Sequence, residues 1–216
     1  SSGAIAVGRN KLNMTSKPDS MRMKQAAAAV GQCSLMYLYD KFFGDYDKTV
    51  AQILLNAEDI EQEEKKENLI NTFNALLEMG VIPIVNENDS VSYKEIESED
   101  RLFGDNDMLS AVVAVLCRAR HLVILSDIDG FYDHDPRLYP NAKLIEQIDT
   151  IDDSVYALAG GAGSRRGTGG MRTKLQAAAL ATSQGTDTIV TNGKHPEALY
   201  DIVKGLHAGT LFPGKI

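Results

Sequence analysis

Four short runs, Thr49 to Leu55, Val81 to Val85, Leu122 to Leu125 and Thr188 to Thr191, are dominated by aliphatic and β-branched residues and alternate with longer amphipathic stretches. A strand that is apolar on both faces must be covered on both faces. The alternation therefore predicts an α/β fold, a three-layer αβα sandwich around a central, mostly parallel sheet. Helices are predicted over Ser20 to Phe43, Glu64 to Met79, Asp107 to Arg118, Gly170 to Gln184 and His195 to Lys204, with a shorter one near the start reaching about Arg9. Their ends carry signals. Asp107 stands where an N-cap belongs, Gly80 follows Met79 as a C′ glycine, and Pro196 sits at a first-turn position.

With 216 residues, 44% of them hydrophobic, the chain suits one domain over 1–216 or at most two small ones. Its longest apolar runs, such as Ala26 to Val30 and Ala111 to Leu116, fall far short of the about 20 residues a bilayer span needs, so no membrane segment is expected. Ser1-Ser2-Gly3-Ala4-Ile5 has neither the basic nor the apolar region of a signal peptide and reads as the turn after a strand. Thirty acidic against 22 basic residues give a net charge of −8. That balance argues against nucleic acid as a partner while leaving small anions open. Cys33 and Cys117 lie in apolar surroundings without CxxC spacing and read as reduced core residues of a cytoplasmic protein. The acidic stretch Glu58 to Glu67 reads as a solvated helix start.

Polar residues and glycines concentrate where predicted strands end, the edge at which open α/β sheets bind ligands. Asn86-Glu87-Asn88-Asp89-Ser90 offers carboxylates and amides suited to a small zwitterion, although a polar Asx turn has the same composition. Gly104-Asp105-Asn106-Asp107 leads into a helix and carries more polar groups than one cap needs. Ser126-Asp127-Ile128-Asp129-Gly130 is a polar pair and a glycine turn, compatible with a nucleotide or with an ordinary β-turn. Gly160 to Lys174 is the most telling. Its glycine-dense loop lets backbone N–H groups approach phosphate oxygens and then enters a helix, with Lys174 one turn inside. Arg165, Arg166, Arg172 and Lys174 follow without an intervening acid, a local positive field in an acidic chain. The spacing is neither Walker A nor GxGxxG. At the other end of the chain, Ser2 and Gly3 offer a hydroxyl and N–H groups at a helix start, where a plain serine cap has the same composition. None of His121, His134, His195 or His207 has metal-ligand or triad spacing, so no protein metal site is expected.

In this order the segments resemble the amino acid kinase family over essentially the whole chain. The carriers are Ser2-Gly3-Ala4-Ile5 with Gly8-Arg9, Ala29-Val30-Gly31-Gln32, Gln52-Ile53-Leu54-Leu55, Pro83 to Asp89, Gly104 to Asp107, Leu125-Ser126-Asp127 with Gly130, and Gly167 to Lys174. NEND, then GDND, then GTGGMRTK resemble the members that phosphorylate glutamate rather than aspartate, acetylglutamate, carbamate or UMP. The resemblance implies transfer of the ATP γ-phosphoryl group to the side-chain carboxylate of L-glutamate, giving γ-glutamyl phosphate, the first step of proline synthesis. Its alternatives are another amino acid kinase, such as one acting on acetylglutamate, or a non-catalytic amino-acid sensor.

Carried over residue by residue, the resemblance implies that Ser2, Asp89 and Asn106 bind glutamate. It assigns Ser126, Asp127 and Thr168, Gly169, Gly170, Met171, Arg172, Thr173 and Lys174 to ATP. Lys174 would neutralise the transferred phosphoryl group, and Asp107 would hold the catalytic lysines in place. Mg²⁺ is expected to be held by phosphates and waters. The resemblance also implies proline as feedback inhibitor, acting at Asn86 to Gly104. A homo-oligomer, dimer or tetramer, is expected, and the helices Ser20 to Phe43 and Glu64 to Met79 could supply its interface or equally belong to the core. The family's first strand, with its glycine-rich turn and a second lysine, would lie upstream of Ser1. The RNA-modification-type domain of some members would lie beyond Gly209 to Phe212, the expected closing strand.

Overall fold

The protein is seen as a computed structural model that describes residues 1–91, 106–159, 170–206 and 208–215. It divides into two compact units, Ser1–Asn106 and Asp107–Ile216. In the first, α1 (Ala4–Lys11) crosses α2 (Met21–Gly44), after which β1 (Val50–Leu55), α3 (Ala57–Glu61), α4 (Glu63–Glu78) and β2 (Ile82–Glu87) follow. β1 and β2 pair in parallel, from Val50 opposite Ile82 to Leu55 opposite Glu87. The second holds α5 (Asn106–Leu116, whose first residue closes the first unit), β3 (His121–Ser126), β4 (Phe131–Tyr132), β5 (Leu144–Ile145), α6 (Asp153–Ala159), α7 (Met171–Ser183), β6 (Asp187–Asn192), α8 (Ala198–Val203) and β7 (Thr210–Phe212). β3 and β6 are parallel, β7 adds antiparallel to β6, and β4 pairs antiparallel with β5.

The α1–α2 crossing is glycine-made. A Cβ on Gly8 would lie 1.7 Å from the carbonyl oxygen of Ala27, and one on Gly31 would lie 1.8 Å from that of Ala4. Backbone meets backbone here, which only glycine permits. α4 ends as the sequence predicts. Gly80 takes φ 71°, its N–H donates to Leu77 O (3.0 Å), and the Val81 N–H donates to Leu76 O (2.9 Å). These bonds satisfy two of the end carbonyls and turn the chain directly into β2.

In the second unit α7 packs its alanines, Ala177, Ala178 and Ala181, all 0% exposed, into a core with Leu122, Ile124, Val190, Phe131 and Phe212. Small residues bring the helix axis close to the strands. Thr210, itself wholly buried, ties three strands together: its Oγ1 accepts from the Phe131 N–H (2.7 Å) and donates to Ile145 O (2.6 Å). Gly130 is required by this packing, since a Cβ there would stand 2.6 Å from Thr210 Oγ1.

Several expectations need correction. Cys33 is exposed and Cys117 only half-buried, because the faces of α2 and α5 that reach the core are carried by Ala27, Ala28 and Gly31, and by Leu109, Ala111 and Val112. The acidic stretch is not one helix start. It breaks at Gln62 between α3 and α4, with the Asn56 N–H bound to Asp59 Oδ2 (2.8 Å) at the head of α3. Pro196 lies two residues before α8, at the head of a turn of i→i+3 bonds that feeds the helix. Asp107 falls inside the first turn of α5 instead of capping it.

Candidate functional site

Connectivity sets where the functional side chains gather in each unit. α5 runs into β3 and α7 into β6 through short turns, so each helix returns antiparallel to its strand and its N-terminus lies at the strand's carboxyl edge. Because β3 and β6 are parallel, with Ser126 opposite Asn192, both helix starts share one edge with Ser126 and Asp127.

Side chains join there. Asp107 Oδ2 accepts from Lys174 Nζ at 2.9 Å and from Thr173 Oγ1 at 2.9 Å. Both charged side chains are largely withdrawn from solvent, Lys174 at 11% exposed and Asp107 at 13%. An ion pair sequestered to this degree is held by geometry and does not dissolve in water as a surface pair does. Of the ATP residues implied by the resemblance, Gly170 is extended, and a Cβ added to it meets no atom of the described residues within 4 Å. Met171 packs against the core. The Arg172 guanidinium sits 6.0 Å from the Tyr156 ring centroid, a cation–π position that holds it against α6. Ser126 and the exposed Asp127 close β3, where Ser126 O accepts from the Gly193 N–H at 2.8 Å. Thr168 and Gly169, with Arg165 and Arg166, lie outside the described residues, as do Gly104 and Asp105.

Beside Asp127, Asp129 accepts from Asn192 Nδ2 (2.7 Å) and from Tyr132 Oη (2.9 Å). The Asn192 bond, then the Tyr132 bond, holds its carboxyl below the usual carboxylate range. This brace between the ends of β3 and β6 has no counterpart in the sequence reading, because its members are 63 residues apart.

In the first unit a cavity of about 420 Å³ opens at the carboxyl end of β2. Asn88, Asp89 and Ser90 line it together with Gln52 and Leu54 of β1, Gln32 and Met36 of α2, and Ala4 of α1. Asp89 is thus a cavity residue. Ser2 is exposed two residues before Ala4, and it is not the cap of α1: Gly3, at φ 86°, takes that position with no side-chain cap bond. The segment is anchored by the nitrogen of Ser1 on Val85 O (2.7 Å). Asn106 opens α5 and is exposed. Among the described residues no group of three or more His, Cys, Asp or Glu side chains is placed to hold a metal ion.

With helix starts and a sequestered lysine at the strand ends of the second unit, and a polar cavity at the strand end of the first, each unit has the features of a phosphotransferase fold, and the chain belongs to the amino acid kinase family, whose profile matches residues 1–192. The fold is shared with the isopentenyl phosphate kinase of T. acidophilum in its product complex, at TM-score 0.60 and 19% identity over 95% of this chain and 78% of that one. Among curated relatives, glutamate 5-kinase of Clostridium perfringens is 55% identical over 215 residues, covering 100% of this chain and 80% of the relative. Glutamate 5-kinase of Listeria innocua is 48% identical over 215 residues, covering 100% and 78%.

Proposed function

We propose that this chain transfers the γ-phosphoryl group of ATP to the side-chain carboxylate of L-glutamate, giving γ-glutamyl phosphate and ADP, the opening step of proline synthesis. The observation that carries this reading is the similarity to glutamate 5-kinase along the whole chain, 55% identical over 215 residues. The chemistry suits the residues. With a reference pKa of about 4.3, a glutamate side chain is already ionised at neutral pH and needs no general base. One carboxylate oxygen forms a bond to the γ-phosphorus while the bond from that phosphorus to the β,γ-bridging oxygen breaks, and ADP leaves with the electron pair. Bringing two anions in line demands positive charge and fixed geometry above all.

In this reading Lys174 supplies that charge, and Asp107 with Thr173 fixes where the ammonium stands. The N-terminus of α7, Gly170 to Lys174 with Thr168 and Gly169 before it, binds the phosphates, while Ser126 and Asp127 contact the nucleotide from the end of β3. Asp89, Ser2 and Asn106 bind glutamate. Asp107 Oδ2 already serves Lys174 and Thr173, so Mg²⁺ would be held by the phosphates and water, neutralising phosphate charge when bound. Proline is proposed to compete with glutamate at Asn86 to Gly104, of which the described part reaches residue 91. The exposed Tyr37, Leu38 and Phe42 of α2 and Leu77 of α4 support a homo-oligomer in solution. No helix among the described residues is long and apolar enough to cross a membrane, in keeping with a cytoplasmic site of action.

The test is a turnover assay with ATP against L-glutamate, N-acetylglutamate, aspartate and carbamate, trapping acyl phosphate with hydroxylamine. Hydroxamate from glutamate alone is expected. Strong turnover of N-acetylglutamate with none of glutamate overturns the reading.

A further inference from the structure

The end of β2 contains a chain of hydrogen bonds whose polarity is set at one end. The Glu87 N–H donates to Asn86 Oδ1 at 3.0 Å. A backbone N–H only donates, so this bond decides which way the Asn86 carboxamide faces. Asn86, 2% exposed, then presents Nδ2 to Gln32 Oε1 at 3.0 Å. That second bond fixes the Gln32 carboxamide in turn. Its acceptor is engaged, and its donor, Nε2, has no hydrogen-bond partner among the described residues. Gln32 is 8% exposed, and it lines the cavity whose polar edge is Glu87 to Ser90. Buried donors are satisfied almost without exception, so one presented by a locked amide at a cavity calls for an acceptor that enters with a ligand.

The cavity therefore has two unlike sides. Glu87 and Asp89 bring negative charge suited to an ammonium group, and Gln32 brings a donor that an ammonium cannot use but a carboxylate can. In an α-amino acid these two groups stand on one carbon, so a zwitterion seated with its ammonium at the acids brings its α-carboxylate within the same cavity. We propose that Gln32 is a substrate-specificity residue: its Nε2 donates to the α-carboxylate of the amino-acid substrate, and Asn86 acts as the positioning residue that holds Gln32 in the donor orientation. This leaves the side-chain carboxylate free for phosphorylation, and it rests on the reading that glutamate is the substrate.

Calorimetric titration of the full chain with L-glutamate and with its α-amide tests the assignment. The native protein is expected to prefer glutamate. Gln32→Met, which keeps the length but removes the donor, should weaken glutamate binding by about 10-fold or more, the scale of one hydrogen bond to a charged group. Gln32→Glu keeps the Asn86 bond but opposes a carboxylate, so it should invert the preference towards the α-amide. A purely structural role moves both ligands together and cannot invert the ratio. Equal weakening of both ligands in each variant, or native-like affinity in Gln32→Met, overturns the role of Gln32 while leaving the kinase reading in place. A native protein that binds no glutamate at millimolar concentration overturns both.

Discussion

Lys174 and Asp107 act as one unit, and their variants should show it. On the proposed reading Lys174→Ala removes the charge that neutralises the transferred phosphoryl group; kcat for glutamate phosphorylation is then expected to fall by about 10²- to 10³-fold, the scale of losing one charge-stabilising donor, with KM for glutamate little changed. Steady-state kinetics with native kcat would take Lys174 out of the reaction. Asp107→Asn leaves a sequestered ammonium without its carboxylate, and the fold should lose about 3 kcal/mol or somewhat more in urea denaturation. Because Asp107 Oδ2 also accepts from Thr173, the losses in Asp107→Asn and Thr173→Val should fall short of additive in the double variant, by at least about 0.5 kcal/mol. Strict additivity would show that the shared oxygen does not couple them. Lys174 was legible in the sequence as a lysine one turn into a helix behind a glycine loop. Asp107 reads from its own segment as a cap, and only the resemblance tied it to a lysine, since nothing local reveals a partner 67 residues away. Gln32 and Asn86, 54 residues apart, meet only through the fold, so the donor they orient leaves no mark on either segment.

At the level of elements, the crossing of α1 over α2 connects packing to the cavity proposed to bind glutamate. Gly31→Ala would drive a methyl into the Ala4 carbonyl, and no flexible side chain is there to move aside. Overpacking costs about 1–3 kcal/mol, and a backbone-on-backbone clash should reach the top of that range. For a chain of this size that corresponds to a Tm lower by roughly 6–12 °C. Separating the helices also displaces Ala4, a cavity residue, so glutamate affinity should fall with stability, whereas Gly44→Ala, where a Cβ meets nothing, should change neither. A Gly31→Ala protein with native Tm and glutamate Kd would show that the crossing can slide apart freely. The long elements were legible because their hydrophobic period extends over several turns or a whole strand, and the glycine stop at Gly80 announces itself. Others were not. β4 and β5 have two residues each and α3 five, too few to display a period; β4 and β5 exist through tertiary bonds such as those of Thr210, and α3 through the local bond of Asn56 to Asp59. Cys33 shows the same limit from the other side, since an apolar neighbourhood in sequence does not say which face of α2 meets the core.

For the molecule as a whole, the alternation of strands and helices predicted a parallel α/β architecture correctly, but the division at Asn106 follows from contacts that no composition shift marks. That division has a consequence for acid stability. Asp129, Asp133, Asp152 and Glu197 all belong to the second unit, and each accepts hydrogen bonds that hold its carboxyl below the usual range: from Asn192, from the Lys143 N–H, from the Ser154 hydroxyl and from its own backbone N–H, respectively. In the unfolded chain these groups take up protons near pH 4. The folded protein takes them up at lower pH, so the unfolded state binds more protons in this window and stability rises with pH across it. The stabilisation is complete above about pH 5 and is lost as pH falls through the lowered values. Each contribution is small because the carboxyls are exposed and solvent screens them. The loss is reinforced by charge, because protonating the acids turns a net −8 into a surface governed by 22 Lys and Arg and four His. Urea midpoints should therefore stay level from pH 7 to about pH 5 and drop towards pH 3. Asp129→Asn should be less stable than the native protein at pH 7, and the gap should narrow as pH falls through the lowered Asp129 value, where the native carboxylate takes up its proton. A gap that stays unchanged through the whole acid unfolding range, after the native carboxylate has been titrated by NMR, would mean that the Asn192 and Tyr132 bonds do not depend on its ionisation.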